Sequence, residues 1–109
     1  MHQDHEIFLS ALYALHKVQL TFFSKEDGTH LIRSCAPMDY GPSRRAKNSV
    51  PRYHFWDYDS DKKYHPLSIP PEQIIRIIGT EDIFSPAEFV TWNLTTSPWF
   101  ITRDWAEFS

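Results

Sequence analysis

The sequence predicts one α+β domain, residues 1–109, in which a small five-stranded β-barrel lies between an N-terminal helix and a short C-terminal helix with an aromatic tail. Three observations indicate this fold. The chain has 109 residues, a common size for a domain built around one core. Its first segment has the apolar spacing of a helix, and the next segments have strand character. Aromatic residues form 16% of the chain, which supplies the apolar surface that a core needs.

The N-terminal helix is predicted over residues 5–17. Phe8, Ala11, Leu12 and Leu15 recur at intervals of three and four, which places them on one helical face. Asp4 precedes the helix and is a suitable N-cap residue.

The barrel is predicted over residues 18–79 and begins with a β-hairpin. Residues 18–23 alternate between two strand faces, and Asp27-Gly28 is typical of a tight reversal. The stretch 29–36 is rich in strand-forming residues and should pair back onto the first strand. Pro37 is predicted to end it.

The rest of the barrel follows a long loop, residues 39–51, which contains the loop-forming residues Gly41, Pro42, Ser43, Asn48, Ser49 and Pro51. Residues 52–58 form the strongest strand candidate because they are dense in aromatics. Residues 64–69 should pair with them, with Pro66 indicating an edge position. The isoleucine-rich stretch 73–78, which ends at Gly79, suits a short strand that is buried on both faces.

The C-terminal part, residues 85–109, is predicted to open with a helix that ends near Trp92. Ser85 and Glu88 have capping-box spacing, and Pro86 falls at the first helical position. The tail then carries too much apolar surface to stay exposed to water, so it should pack on its own domain or on a partner. Its large side chains are Trp99, Phe100, Ile101, Trp105 and Phe108.

Charge and cysteine content narrow the classes of function and compartment. The net charge is −3, which is unlike a general nucleic-acid binder, so a polyanion site would have to be a local patch. Cys35 is the single cysteine, which excludes an intrachain disulfide and fits a reducing compartment. The start lacks the features of a signal peptide, and no apolar run is long enough for a membrane span, so we expect a cytoplasmic protein without a membrane partner.

One helix followed by five short strands is the order of SH3-like and Sm-like barrels. Within this order, residues 14–22, the Asp27-Gly28 turn, Ala36-Pro37 and the aromatic strand 52–58 resemble the bacterial WYL domain family. Tyr53-His54-Phe55 would occupy the family signature, and the resemblance covers about residues 8–78. It implies a ligand-sensing module that binds a nucleic acid or a nucleotide and regulates attached partners, often transcription factors.

The candidate ligand site combines cations before the aromatic strand with residues of that strand. A guanidinium group makes paired hydrogen bonds to phosphate oxygens, and bases stack on aromatic rings, so the pattern favours single-stranded nucleic acid or a nucleotide as the ligand. Because side chains alternate along a strand, only one of two faces can be core, the face of Tyr53 or the face of His54. The alternative to a ligand site is that the arginines are solvated and the aromatic rings fill the core. The predicted ligand-binding residues are Arg44, Arg45, Lys47, Arg52, Tyr53, His54 and Trp56.

Two other functions remain open. A protein interface or a homodimer could use Trp99, Phe100 and Trp105, because such side chains concentrate in interface cores. Histidine chemistry is disfavoured, because His54 and His65 lack the spacing of a metal motif. No nucleophile motif is present either, so the sequence predicts no metal site, no cofactor and no enzyme activity.

Overall fold

The computed structural model describes residues 1–44, 48–60 and 65–109, and it confirms the α+β class. One α-helix precedes five antiparallel strands in a single sheet of order β4-β3-β2-β1-β5. Short 3-10 turns lie at Pro71–Gln73, Pro86–Glu88 and Ala106–Phe108. The elements are α1 His5–Ala14, β1 His16–Ser24, β2 Thr29–Pro42, β3 Pro51–Asp57, β4 Pro66–Ile69 and β5 Ile74–Ile83.

Helix α1 is shorter than predicted, because it ends at Ala14 rather than at residue 17. Leu15 adopts the left-handed conformation with φ 61°, and its N–H closes the helix on the carbonyls of Ala11 and Leu12. His16 and the residues after it then pair within the sheet. The apolar face of α1 buries Phe8, Ala11 and Leu12, as the spacing predicted.

The core lies between α1, one face of the sheet and the C-terminal tail. Val18, Leu20 and Phe22 are the buried set of β1, which confirms the period-two pattern of the first strand. On β3, the buried set is Tyr53, Phe55 and Asp57. This settles which face of the aromatic strand is core.

Strand β2 does not end at Pro37, as the sequence predicted, but continues to Pro42. Its pairing with β3 shifts register between Pro37 and Asp39. The ladder skips Met38, whereas Pro37 lies opposite Phe55. Strand β1 pairs with β2 only as far as Cys35, so Pro37 has a neighbouring strand on one side alone, where proline is tolerated. Residues 39–42 and Pro51, which the sequence placed in the predicted loop, therefore belong to the sheet.

Strand β5 extends beyond Gly79 and lies at an edge of the sheet, so the prediction of a short strand buried on both faces is wrong. The Ile75 side chain is exposed. The N-terminal segment covers part of the outer edge, because the Asp4 carboxylate accepts the Ile77 N–H at 2.9 Å and His2 Nε2 hydrogen-bonds the Ile74 carbonyl at 2.9 Å. Asp4 thus protects a sheet edge and makes no side-chain cap on α1.

The sheet must curl, because its two outermost strands are linked by a short connection. Strand β4 ends at Ile69 and β5 begins at Ile74, with a 3-10 turn between them that rises only about 2 Å per residue. A flat sheet would hold its first and fifth strands about 19 Å apart. The sheet is not closed, since β4 and β5 do not pair in the described part of the chain. Strand β4 is the second edge strand, as Pro66 predicted, and Tyr64 lies outside the described residues.

The C-terminal region packs on its own domain. The helix predicted from Ser85 is only a 3-10 turn, in which the Ser85 N–H donates to Glu88 Oε1 at 2.8 Å. Ending the turn early lets both Phe84 and Phe89 enter the core. Trp105 is 3% exposed and donates its indole N–H to the carbonyl of Leu12. In the described ranges, no helix has the length and apolar character needed to cross a membrane.

Candidate ligand groove

A groove of about 440 Å³ lies between the outer part of β3 and β4 and the C-terminal tail. We call it the tail groove. Its walls are mostly rings and prolines with a few polar groups, which is the usual make-up of a ligand site. Its lining includes Pro42, Arg44, His54, Leu67, Ser68, Trp92, Pro98, Trp99 and Phe100.

The tail wall of the groove is held by Asp39, which lies at the bulge in β2. Its carboxylate accepts the N–H groups of Phe100 at 2.9 Å and Ile101 at 3.0 Å. It also pairs with Arg103 Nη2 at 3.1 Å. One buried carboxylate thereby fixes the backbone of the segment that carries the groove's aromatic rings.

Arg103 completes this anchor from the tail side. Its guanidinium is buried and lies against two indole rings, with Cζ 4.0 Å from the ring centroid of Trp99 and 4.4 Å from that of Trp105. It also donates to the carbonyl of Met38. Burial lowers the pKa of Arg103 to about 10, while Asp39 opposes that shift, so the group is charged at neutral pH.

Gly41 brings the sheet and the tail into close approach. A Cβ at this position would lie 2.5 Å from Cδ2 of Phe100, so only glycine lets the Phe100 ring sit against β2. The Gly41 carbonyl hydrogen-bonds Nε2 of His54 at 2.9 Å. His54 was one of the predicted site residues, and its ring lies in the groove wall.

The predicted basic loop reaches the same groove through Arg44. The Arg44 guanidinium lies 4.8 Å from the ring centroid of Phe100 and donates to the carbonyl of Pro98. The side chain is otherwise exposed. Arg45 and Lys47, the other two predicted cations of this loop, lie outside the described residues.

The remaining residues of the predicted site lie elsewhere. Tyr53 is 0% exposed and its hydroxyl hydrogen-bonds His5 Nδ1 at 2.7 Å, so its ring is part of the core and not a stacking surface. Burial raises the pKa of its hydroxyl. Trp56 does not line the groove, because its ring stacks between His65 and Phe89. Arg52 is partly buried and donates to the carbonyl of Ser68 at 3.2 Å.

Other chemistry-bearing groups are engaged in structure. Cys35 is buried, which raises the pKa of its thiol and fits the predicted role of a small core residue. His65 Nδ1 hydrogen-bonds the carbonyl of Asp57 at 2.7 Å. Over the described ranges, no three His, Cys, Asp or Glu side chains are grouped so that they could hold a metal ion.

Sequence reasoning missed part of the groove. Trp92, Pro98 and Ser68 line it but were not predicted as site residues. No local pattern singled out Trp92, which falls at the predicted end of the C-terminal helix. Ser68 and Asp39 carried no local signal, since their roles depend on contacts with distant parts of the chain.

Comparison with known proteins adds no relative, because no protein-family model, no curated protein and no solved structure matches this chain.

Proposed function

We propose that the tail groove binds a phosphate-bearing ligand with a planar ring, either a nucleotide or single-stranded nucleic acid. The observation that carries the proposal is the stacking of Arg44 over Phe100 at the groove. This contact joins a fixed cation to an aromatic surface on one concave wall. Phosphate would bind the guanidinium, and the ring of the ligand would stack on the groove's aromatic side chains.

The size and charge of the groove support this ligand class. A volume of about 440 Å³ lies within the usual range for small-molecule sites. A guanidinium carries five N–H donors, and the bond to Pro98 uses one of them. The protein as a whole is negative, so attraction of a phosphate must come from this local patch, to which Arg45 and Lys47 are adjacent in sequence.

The curled sheet is proposed to be an SH3-like or Sm-like barrel that stays open between β4 and β5. The short link between these edge strands supports that proposal. The WYL-like signature at Tyr53-His54-Phe55 supports a regulatory role, such as transcription regulation in the bacterial cytoplasm, in which ligand binding controls an attached partner. In this scheme the domain is a sensor without enzyme activity.

The test is a titration of the full chain with six-nucleotide single-stranded DNA and RNA at about 50 mM and about 200 mM salt, because phosphate contacts weaken as the salt concentration rises. Arg44→Ala should lower affinity and reduce the slope of log affinity against log salt by about 0.7 for the lost contact. Arg76→Ala is the matched control, since Arg76 is exposed on β5 and does not line the groove. No binding at low salt, or equal affinities of the Arg44 variant and the wild type, would reject the proposal.

A second function is favoured by the exposed rings of the tail. Trp92 is 37% and Phe100 is 47% exposed, which suits a protein interface or a homodimer. The predicted contribution of Trp105 is excluded, because its ring is in the core. Sedimentation of the wild type and of Phe100→Ser separates the two functions: a dimer that becomes a monomer supports the interface, and a monomeric wild type removes the homodimer.

A further inference from the structure

The groove wall holds a histidine whose tautomer is set by the fold. Carbonyl oxygens only accept hydrogen bonds, so His54 Nε2 must carry the proton that binds the Gly41 carbonyl. In the neutral ring, Nδ1 is then an acceptor. None of the described residues hydrogen-bonds Nδ1, and the ring lines the tail groove. Nδ1 is therefore an acceptor that a ligand's N–H can use.

Ser68 supplies a second polar group beside it. Ser68 lies directly opposite His54 in the pairing of β3 with β4, so the two side chains leave the same face of the sheet about 5 Å apart at Cβ. The Ser68 hydroxyl is buried and has no hydrogen-bond partner in the described part of the chain. A buried polar atom without a partner is rare in folded proteins, and Ser68 also lines the groove.

We infer that the tail groove selects a nucleobase over a plain aromatic ring through His54 Nδ1 and Ser68 Oγ. The edge of a nucleobase places an N–H beside a carbonyl oxygen or an unprotonated ring nitrogen. The N–H of the base would donate a hydrogen bond to His54 Nδ1, and the neighbouring acceptor atom of the base would accept a hydrogen bond from the Ser68 hydroxyl. This inference rests on the proposed function, and it narrows the ligand to a nucleotide or the nucleotides of a single strand.

The selectivity follows from the way in which buried polar groups discriminate. A ring without hydrogen-bonding atoms would leave His54 Nδ1 and the Ser68 hydroxyl unpaired in the complex, whereas a base would pair both groups. Arg44 and the groove's aromatic rings would treat the two ligands alike, because each ligand has a phosphate and a planar ring.

The experiment compares uridine 5′-monophosphate with phenyl phosphate by calorimetric titration of the full chain at low salt. We expect the nucleotide to bind about tenfold more tightly, which corresponds to one or two hydrogen bonds. Ser68→Ala should remove most of this difference by weakening the nucleotide alone. His54→Phe should do the same, and if it disturbs folding through the lost Gly41 bond, Ser68→Ala still decides, because that hydroxyl has no partner in the described chain.

Matched controls are His30→Phe and Ser10→Ala, which alter exposed residues outside the groove and should leave both affinities unchanged. Equal binding of phenyl phosphate and the nucleotide, or a selectivity that survives both groove substitutions, would overturn the inference while leaving the proposed function in place. If neither compound binds at low salt, the inference fails, and the titration with six-nucleotide strands decides the proposed function separately.

Discussion

Replacement of Arg103 by alanine should destabilise the domain strongly and loosen the tail wall of the groove. Arg103 as a residue is 8% exposed, and its guanidinium pairs with Asp39 and lies against two indole rings. Alanine removes the cation but leaves the Asp39 carboxylate buried. The variant therefore combines a cavity with an unpaired buried charge.

The magnitude follows from these contacts. Removing one partner of a buried ion pair costs about 3–5 kcal/mol, because the remaining charge loses its compensation. Asp39 keeps the N–H groups of Phe100 and Ile101, which places the expected loss near the lower end of that range, about 3 kcal/mol. This is a large share of the roughly 5–15 kcal/mol that stabilises a typical domain.

Urea unfolding followed by tryptophan fluorescence measures this change. With a slope of about 1–3 kcal/mol per molar, a loss of this size lowers the midpoint by roughly 1–3 M. Arg103→Lys should lose less, because it keeps the charge without the planar fork. Arg76→Ala, on the exposed face of β5, should change stability by less than about 0.5 kcal/mol. A loss below about 1 kcal/mol in Arg103→Ala would refute the view that this pair anchors the tail.

Three further predictions concern the contacts around the sheet. Gly41→Ala should displace Phe100, whose ring lies 2.5 Å from the new Cβ, and should cost about 1–3 kcal/mol; unshifted Phe100 ring resonances would contradict this. Burial holds the pKa of His5 below 6.5, so the folded state binds fewer protons than the unfolded state, and stability should fall as pH drops through 6.5. His5→Asn should reduce the change in unfolding free energy between about pH 7.5 and about pH 5.5, and an unchanged pH dependence would exclude His5 as the source of that change. Asp4→Ala should speed hydrogen exchange of the Ile77 amide, because that N–H loses its acceptor; equal exchange rates would show that Asp4 does not protect the edge of β5.

Local patterns predicted the parts of the fold that local forces determine. The spacing of Phe8, Ala11 and Leu12 located α1, and alternation located β1 and β3 within a few residues. Alternation also limited the core residues of the aromatic strand to one of two sets, the face of Tyr53 or the face of His54. Which face is core depends on what packs against it, and α1 decides this by placing Phe8 against the rings of Tyr53 and Phe55.

Contacts between distant segments were beyond local patterns. Pro37 predicted the end of a strand, but a bulge and the pairing of residues 39–42 with β3 carry β2 past it. The anchor between Asp39 and Arg103 joins residues 64 positions apart. The groove depends on that anchor, so local patterns could not predict its aromatic wall, although Arg44, which lies beside that wall, was among the predicted site residues.

The indole N–H resonances of the four tryptophans test the central proposal most directly. During titration with a six-nucleotide single strand at low salt, the resonances of Trp92 and Trp99 should shift, because both rings line the tail groove. Those of Trp56 and Trp105 should stay in place, because they pack outside it. A titration in which Trp56 alone shifts would move the binding site to the aromatic strand, and one in which no indole shifts would contradict ligand binding in the groove.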